Sequence, residues 1–160
     1  MSIDTGFFAH DHQRGELIWF IGTLAEIKAG HADTGDVLAA VEFTMPPGFA
    51  TPQHVHHLED EAFYVLDGRI AGYCGDQDWI GTSGTFIWLP RDVPHGFKVD
   101  GTTNARILQL SVPSGFDEFV RQAGTPATSP RIPDPGPPDI ERLNAAAQRT
   151  GQTILGPPRT

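Results

Sequence analysis

Short apolar or alternating stretches, separated by glycine, proline and aspartate, fill most of the chain up to Val112. Stretches of this length that are rich in aromatic and β-branched residues are typical of β-strands. They predict one or two strands within 17–28 and further strands at 37–45, 53–57, 61–67, 69–74, 77–80, 85–89, 94–99 and 105–112. Asp67-Gly68 separates two of these strands and predicts a tight hairpin turn. The series favours an all-β fold, an antiparallel barrel or sandwich, over alternating strands and helices.

The pattern changes after Pro113. Ser114 and Asp117 resemble an N-cap and its capping-box partner, and they predict a short helix that ends near Gln122. A proline-rich connector follows, and residues 139–150 carry the apolar stripe of a second helix. We expect this helix to pack on the barrel or on a neighbouring subunit.

We therefore divide the chain into three parts of one structural domain. They are an N-terminal arm with strands (1–36), a barrel (37–112) and a C-terminal helical extension (113–160). A chain of 160 residues is long enough to bury a substantial hydrophobic core. Its 18 glycines and 14 prolines agree with many turns and few long helices.

Charge and composition narrow the class of partner. The formal net charge is −9 and lysine and arginine do not cluster, which disfavours nucleic acid and anionic membranes as partners. The sequence shows neither a basic, apolar leader nor a run of about 18 apolar residues, so we expect a cytoplasmic protein. Cys74 is the single cysteine, which excludes an internal disulfide, and we interpret it as a small core residue.

The chemistry concentrates in the stretch HVHHLEDE, residues 54–61. Residues two apart on a strand share a face, so His54 and His56 point together and His57 points away. Glu61 begins the next strand, and pairing of the two strands as a hairpin would bring it to the histidines. Glu59 and Asp60 lie in the intervening turn, where we expect them to be solvated.

Two imidazoles and a carboxylate are ligands for a divalent transition metal, and iron, nickel, manganese, cobalt, copper and zinc are not distinguished by this set. His95 follows a turn bounded by prolines and is the candidate for a further ligand. We expect the other histidines, His10, His12 and His31, to be exposed.

The spacing of these residues resembles the cupin superfamily. Its first motif is present in full as Gly48-x5-His54-x-His56-x4-Glu61-x6-Gly68. Its second appears as Gly84-x5-Pro90-x-Asp92-x2-His95-x3-Val99, with Asp92 in place of the usual glycine and Val99 in place of the usual asparagine. The resemblance implies an antiparallel jelly-roll barrel in which His54, His56, Glu61 and His95 hold one divalent metal ion.

The chain also resembles small one-domain bacterial cupins related to quercetin 2,3-dioxygenase, in HVHHLEDEAFYVLDG, FIWLPRDVPHGFKV and the tail TGQTILGPP. This implies an oxidoreductase that uses dioxygen to open the ring of a flavonol or similar enolisable aromatic, releasing carbon monoxide and a depside. Glu61 would be both metal ligand and catalytic base. The resemblance also implies a homodimer.

Aromatic and aliphatic side chains near the predicted site suggest an apolar pocket for such a substrate. Phe63 and Val65 share the face of Glu61, and Phe97 shares that of His95. Phe86 and Trp88 are further candidates, since an intervening turn leaves open which face of their strand points inward.

Two other functions fit the same residues. One is a metal-dependent enzyme that does not use dioxygen, such as a polyketide cyclase or an isomerase, because the ligand set can act as Lewis acid and base. The other is a non-catalytic cupin that binds a small ligand.

Overall fold

The computed structural model describes residues 6–159, and these form two separate antiparallel sheets with three short helices. The strands are β1 Glu16–Phe20, β2 Thr23–Ala29, β3 Ala39–Met45, β4 Gln53–His56, β5 Asp60–Asp67, β6 Arg69–Cys74, β7 Gln77–Thr82, β8 Phe86–Leu89, β9 His95–Val99, β10 Ala105–Val112, β11 Thr125–Pro126 and β12 Gln152–Gly156. The helices are α1 His31–Thr34, α2 Phe116–Ala123 and α3 Ile140–Arg149. Both predicted C-terminal helices and the all-β class are confirmed.

One sheet has the order β11-β1-β2-β3-β10-β5-β8 and the other the order β12-β4-β9-β6-β7. Their inner faces pack against each other, as shown by the rings of Phe63 and Phe97, whose centroids lie 5.1 Å apart across the interior. This is the jelly-roll arrangement, in which the chain passes repeatedly between two sheets. Helix α2 packs on β1, β2 and β3, and α3 packs on α2 and β12.

Strand β10 illustrates why the sequence folds this way. Its alternate residues Ala105, Ile107, Gln109 and Ser111 are all buried, whereas the residues between them are half-buried. Period-two burial of this kind is the signature of a strand with one face on the core. The inward row is apolar at its first half and polar at its second, so the barrel interior has one polar end.

The predicted hairpin at Asp67-Gly68 is wrong. The turn exists, with Gly68 at a φ of 81° and its N–H donated to Asp67 Oδ1 at 2.9 Å. However, β5 and β6, which flank it, belong to different sheets. A local turn signal shows that the chain reverses, but in a two-sheet fold the next strand can cross to the opposite sheet.

The pairing of β4 with β5 as a hairpin is wrong for the same reason, because these strands also lie in opposite sheets.

The predicted cap of the first C-terminal helix is corrected too. Gly115, rather than Ser114, is the N-cap of α2. Asp117 is fully buried, where it accepts hydrogen bonds from His31 and Arg121.

Strand β12 was not predicted. It follows α3 after Gly151, whose φ of 77° turns the chain out of the helix, and it pairs antiparallel with β4. None of the helices within residues 6–159 is long and apolar enough to span a membrane.

Candidate metal centre

Four side chains converge at the polar end of the barrel interior: His54, His56, Glu61 and His95. One potential ligand atom from each lies within 4.8 Å of the others. We call this group the metal centre. His56, Glu61 and His95 are almost completely buried, and His54 is half-buried.

Strand geometry brings the four together from both sheets. His54 and His56 share the inner face of β4, and His54 pairs directly with His95 on the neighbouring β9. Glu61 comes from β5 of the opposite sheet, where its partners are Ser111 and Leu89. The carboxylate therefore reaches the histidines across the barrel interior rather than along a hairpin, which replaces the route that the sequence suggested.

Backbone carbonyl oxygens fix the orientation of two of the histidine rings through their Nδ1 atoms. His54 Nδ1 lies 2.8 Å from the carbonyl oxygen of Pro52, and His95 Nδ1 lies 2.9 Å from that of Val93. A carbonyl only accepts, so both Nδ1 atoms carry the hydrogen. This places Nε2 of each ring towards the centre, as found for histidines that bind metals.

His56 is fixed in the same way by a carboxylate. Its Nδ1 lies 2.8 Å from Glu59 Oε1, and each of the two side chains is only 1% exposed. The expectation that Glu59 is solvated is therefore wrong. The turn between β4 and β5 folds inward and buries Glu59 behind the ring. Asp60 is half-buried and paired with Arg91.

Glu61 contacts three side chains. Its Oε2 lies 2.9 Å from His95 Nε2, its Oε1 lies 3.3 Å from His56 Nε2, and Gln109 donates its amide to Oε1. Burial alone raises the pKa of this carboxyl, but the charge of His56 and the hydrogen bond from His95 outweigh it and hold the pKa well below its usual range. Glu61 is therefore an ionised carboxylate, the form that binds a metal.

His54 is held neutral. Burial, together with the charges of His95 and His56, lowers the pKa of His54 to about 3. A neutral imidazole with a protonated Nδ1 offers an Nε2 lone pair, which is the form required of a ligand.

The arrangement fits a divalent transition metal. Three imidazole nitrogens and one carboxylate are a donor set for such ions. His56 Nε2 is completely buried and has no well-aligned hydrogen-bond partner among the described residues, since the 3.3 Å contact with Glu61 is an ion-pair distance only. A bound ion would satisfy this buried nitrogen, which is otherwise unfavourable.

An apolar cavity opens in front of the centre. Its volume is about 50 Å³, enough for a few water molecules. Its wall is made by the aromatic, aliphatic and polar side chains Phe20, Ile21, Phe43, Met45, Phe49, Thr51, Pro52, His54, Glu61, Phe63, Phe97, Gln109, Phe116, Phe119, Leu143, Gln152 and Ile154.

The pocket residues predicted from the sequence divide into two groups. Phe63 and Phe97 line this cavity, whereas Val65 is completely buried in the core outside it. Phe86 and Trp88 are 58% and 51% exposed on the outer face of β8, which corrects their assignment to the pocket. The inward residues of that strand are Ile87 and Leu89.

Sequence reasoning missed the part of the wall that comes from outside the predicted barrel. Phe20 from β1, Phe116 and Phe119 from α2, Leu143 from α3 and Gln152 from β12 all contribute to it. The apolar stripes of the two helices were the available signal, but a stripe does not specify which surface it covers.

The remaining histidines lie apart from the centre. His10 and His57 are exposed as expected, and so is His12, which approaches the buried carboxylates of Glu26 and Glu42. Those carboxylates are neutralised by Lys28, at 2.8 Å and 3.6 Å, and by Arg106 on Glu42.

The side chain of His31 is 45% exposed, in line with the expectation, and its Nδ1 lies 2.8 Å from Asp117 Oδ2.

The comparisons with known proteins agree with this geometry. Residues 41–112 match the family described as Cupin domain. This part of the chain is a cupin domain. The family match contains all four residues of the metal centre and ends before α2, α3 and β12.

Among curated proteins, the quercetin 2,3-dioxygenase of Bacillus subtilis is 26% identical over 103 residues, which are 64% of this chain and 30% of that protein. The chain thus spans less than a third of that relative. An RmlC-like cupin from Shewanella frigidimarina has a TM-score of 0.57 at 19% identity, over 67% of this chain and 92% of the other. KdgF from Halomonas sp. has a TM-score of 0.54 at 21% identity, over 60% and 84%. These two structures share the fold.

The two departures from the second cupin motif have structural explanations. Asp92 has a φ of 62°, the left-handed region that glycine adopts easily and that aspartate tolerates better than most residues. Val99 is buried in the hydrophobic core. Neither position contributes a side chain to the metal centre.

Proposed function

We propose that this protein is a metal-dependent cupin dioxygenase that opens the ring of a flavonol or a similar enolisable aromatic. The observation that carries the proposal is the ionised, buried Glu61 among three preoriented imidazoles, facing an apolar cavity. The 26% identity with a quercetin 2,3-dioxygenase supports the choice of substrate class.

In this proposal His54, His56, Glu61 and His95 hold one divalent ion, which when bound lowers the pKa of a substrate hydroxyl and stabilises the oxyanion. Glu61 accepts the hydroxyl proton on a carboxylate oxygen, and Gln109 keeps that carboxylate oriented. Phe63 and Phe97 orient the aromatic body and exclude water. Dioxygen is the oxidant, and one ring carbon leaves as carbon monoxide. The homodimer stays a prediction.

The cavity volume favours a second candidate. At about 50 Å³ it is smaller than the roughly 300–1,000 Å³ of common ligand pockets. A flavonol therefore requires side chains around the cavity to move, whereas a compact enolisable carbonyl compound requires less. This second function is a cyclase- or isomerase-type reaction in which Glu61 moves a proton and dioxygen takes no part.

Turnover with and without dioxygen distinguishes the two. Protein loaded separately with iron, nickel, manganese, cobalt, copper or zinc is given a panel of flavonols, and substrate loss, oxygen uptake and carbon monoxide are measured. We expect all three in air with at least one metal, and none without oxygen. Equal substrate loss under anaerobic conditions contradicts the dioxygenase and supports the second candidate.

The variant E61Q tests the role of the base. It keeps an oxygen that can bind the metal but removes the proton acceptor, so we expect it to retain metal and lose turnover. D92N changes an exposed carboxylate outside the metal centre and serves as the matched control. Full activity of metal-loaded E61Q rules out Glu61 as the base.

A further inference from the structure

Gln152 is a buried polar residue in the cavity wall that neither the metal centre nor the proposed base uses. The residue is only 5% exposed, and its amide nitrogen Nε2 is completely buried without a hydrogen-bond partner within residues 6–159. An unpaired buried donor is destabilising, because it has lost its water without gaining a partner. Such a donor beside a candidate active site indicates that a ligand supplies the partner.

The position of Gln152 is set by strand pairing. Strand β12 lies antiparallel to β4, with Gln152 opposite His56 and Ile154 opposite His54. Residues directly opposite in an antiparallel pair point to the same face. Gln152 therefore lies in the cavity wall on the same side as His54 and His56. It belongs to a segment outside the family match of residues 41–112.

The other hydrogen-bonding side chains of the cavity wall already have partners. Gln109 donates to Glu61, Thr51 Oγ1 accepts from the backbone N–H of Phe97 at 3.0 Å, and His54 Nδ1 donates to Pro52. The terminal torsion of a glutamine is broad and soft, so a small rotation turns the amide towards a ligand.

We propose that Gln152 is a specificity-determining residue that donates a hydrogen bond to an acceptor oxygen, a carbonyl or an enolate, of a substrate bound at the metal centre. The inference rests on the proposed function and deepens it. The ligand class is a compact or flat compound with an apolar body, one ionisable hydroxyl for Glu61 and one acceptor oxygen for Gln152. The C-terminal segment thereby adds a selectivity element to the cupin domain.

The test uses the zinc-loaded full chain with two probes, 3-hydroxyflavone and the smaller enolisable diketone acetylacetone. The variants are Q152L, which keeps the size but removes the amide, and the control Q148L on the exposed face of α3. The side-chain amide resonances of Gln152 are assigned by their absence in Q152L. Dissociation constants are measured by calorimetry.

We expect the Gln152 amide resonances to shift on binding, and Q152L to bind about tenfold more weakly than wild type or Q148L. We also expect the thermal midpoint of Q152L to be no lower than that of wild type, because the amide has no partner in the unliganded fold. A structural role would instead lower that midpoint, and this result overturns the inference.

The remaining outcomes separate the inference from the proposed function. Binding of a probe with unmoved Gln152 resonances and unchanged affinity in Q152L overturns the inference. Failure of both probes to bind overturns it as well. If the Gln152 resonances respond and Q152L binds more weakly while no metal-loaded form turns over a flavonol in air, the dioxygenase fails and the role of Gln152 stands.

Discussion

The hydrogen bond between His56 and Glu59 gives the sharpest prediction about the metal centre. Both side chains are 1% exposed and their atoms are 2.8 Å apart, so water cannot replace either partner. A buried hydrogen bond to a charged group contributes about 1.5–3 kcal/mol. Loss of a residue that hydrogen-bonds to a metal-binding histidine lowers metal affinity about 10–100-fold, which is about 1.4–2.8 kcal/mol. The expected loss of metal affinity therefore agrees with the free energy of the hydrogen bond.

Two variants of Glu59 separate the contribution of its charge to metal affinity from that of its hydrogen bond to His56. E59Q keeps an oxygen acceptor for His56 Nδ1 but removes the charge, and we expect zinc affinity to fall about tenfold. E59L removes the acceptor as well and leaves the buried N–H unpaired, so the expected loss is nearer about 100-fold.

Zinc affinity is measured by competition with a chromogenic chelator. The matched control is D92N, since Asp92 makes the same 2.8 Å contact with His57 on the exposed surface. Wild-type affinity in both E59Q and E59L refutes the reasoning that Glu59 orients a metal ligand. A loss of equal size in D92N also refutes it.

Two further predictions concern stability. His31 beside Asp117 has a raised pKa because it donates a hydrogen bond to that carboxylate and feels its charge. Protonated His31 therefore stabilises the fold fully below its unfolded pKa of about 6.5, and this stabilisation is lost as pH rises through the higher folded pKa. The free energy of unfolding measured with urea should decline over that pH range in wild type but not in H31Q. Equal pH profiles for H31Q and wild type contradict this. F63A removes a ring that is 2% exposed and should lower the free energy of unfolding by about 3–5 kcal/mol. F86A, at 58% exposure, should change it by less than about 1 kcal/mol, and similar losses in both variants would contradict the assigned faces of β5 and β8.

The sequence predicted most of the strands because strand patterns depend on short-range periodicity, and it singled out the four residues of the metal centre by their spacing and the resemblance to cupins. His54 and His56 share a face by parity alone. Strand β10 shows the limit of such a pattern, because its buried row ends in Gln109 and Ser111 although Leu108 and Leu110 beside them are only half-buried. Which of the two sheets a strand joins depends instead on contacts between residues far apart in the sequence. The Asp67-Gly68 turn indicated a reversal of the chain but not the sheet to which the next strand belongs.

The sequence pattern could not predict where three groups of side chains point, for related reasons. Glu59 lies in a turn, where alternation gives no direction, and only the folded turn shows that it points to His56. Phe86 and Trp88 follow a turn that breaks the parity count. Gln152 lies in a short strand after a helix, and its partner strand β4 is almost 100 residues earlier.

The proposed chemistry requires that His54, His56, Glu61 and His95 hold a divalent transition metal ion. Metal content per chain, measured by mass spectrometry after loading and exhaustive dialysis of wild type and H95A, tests this most directly. We predict one tightly held ion per chain in wild type and a much reduced content in H95A, which removes one ligand of the centre. Wild-type protein that retains no ion from any of the six metals, or H95A that retains as much as wild type, contradicts the claim.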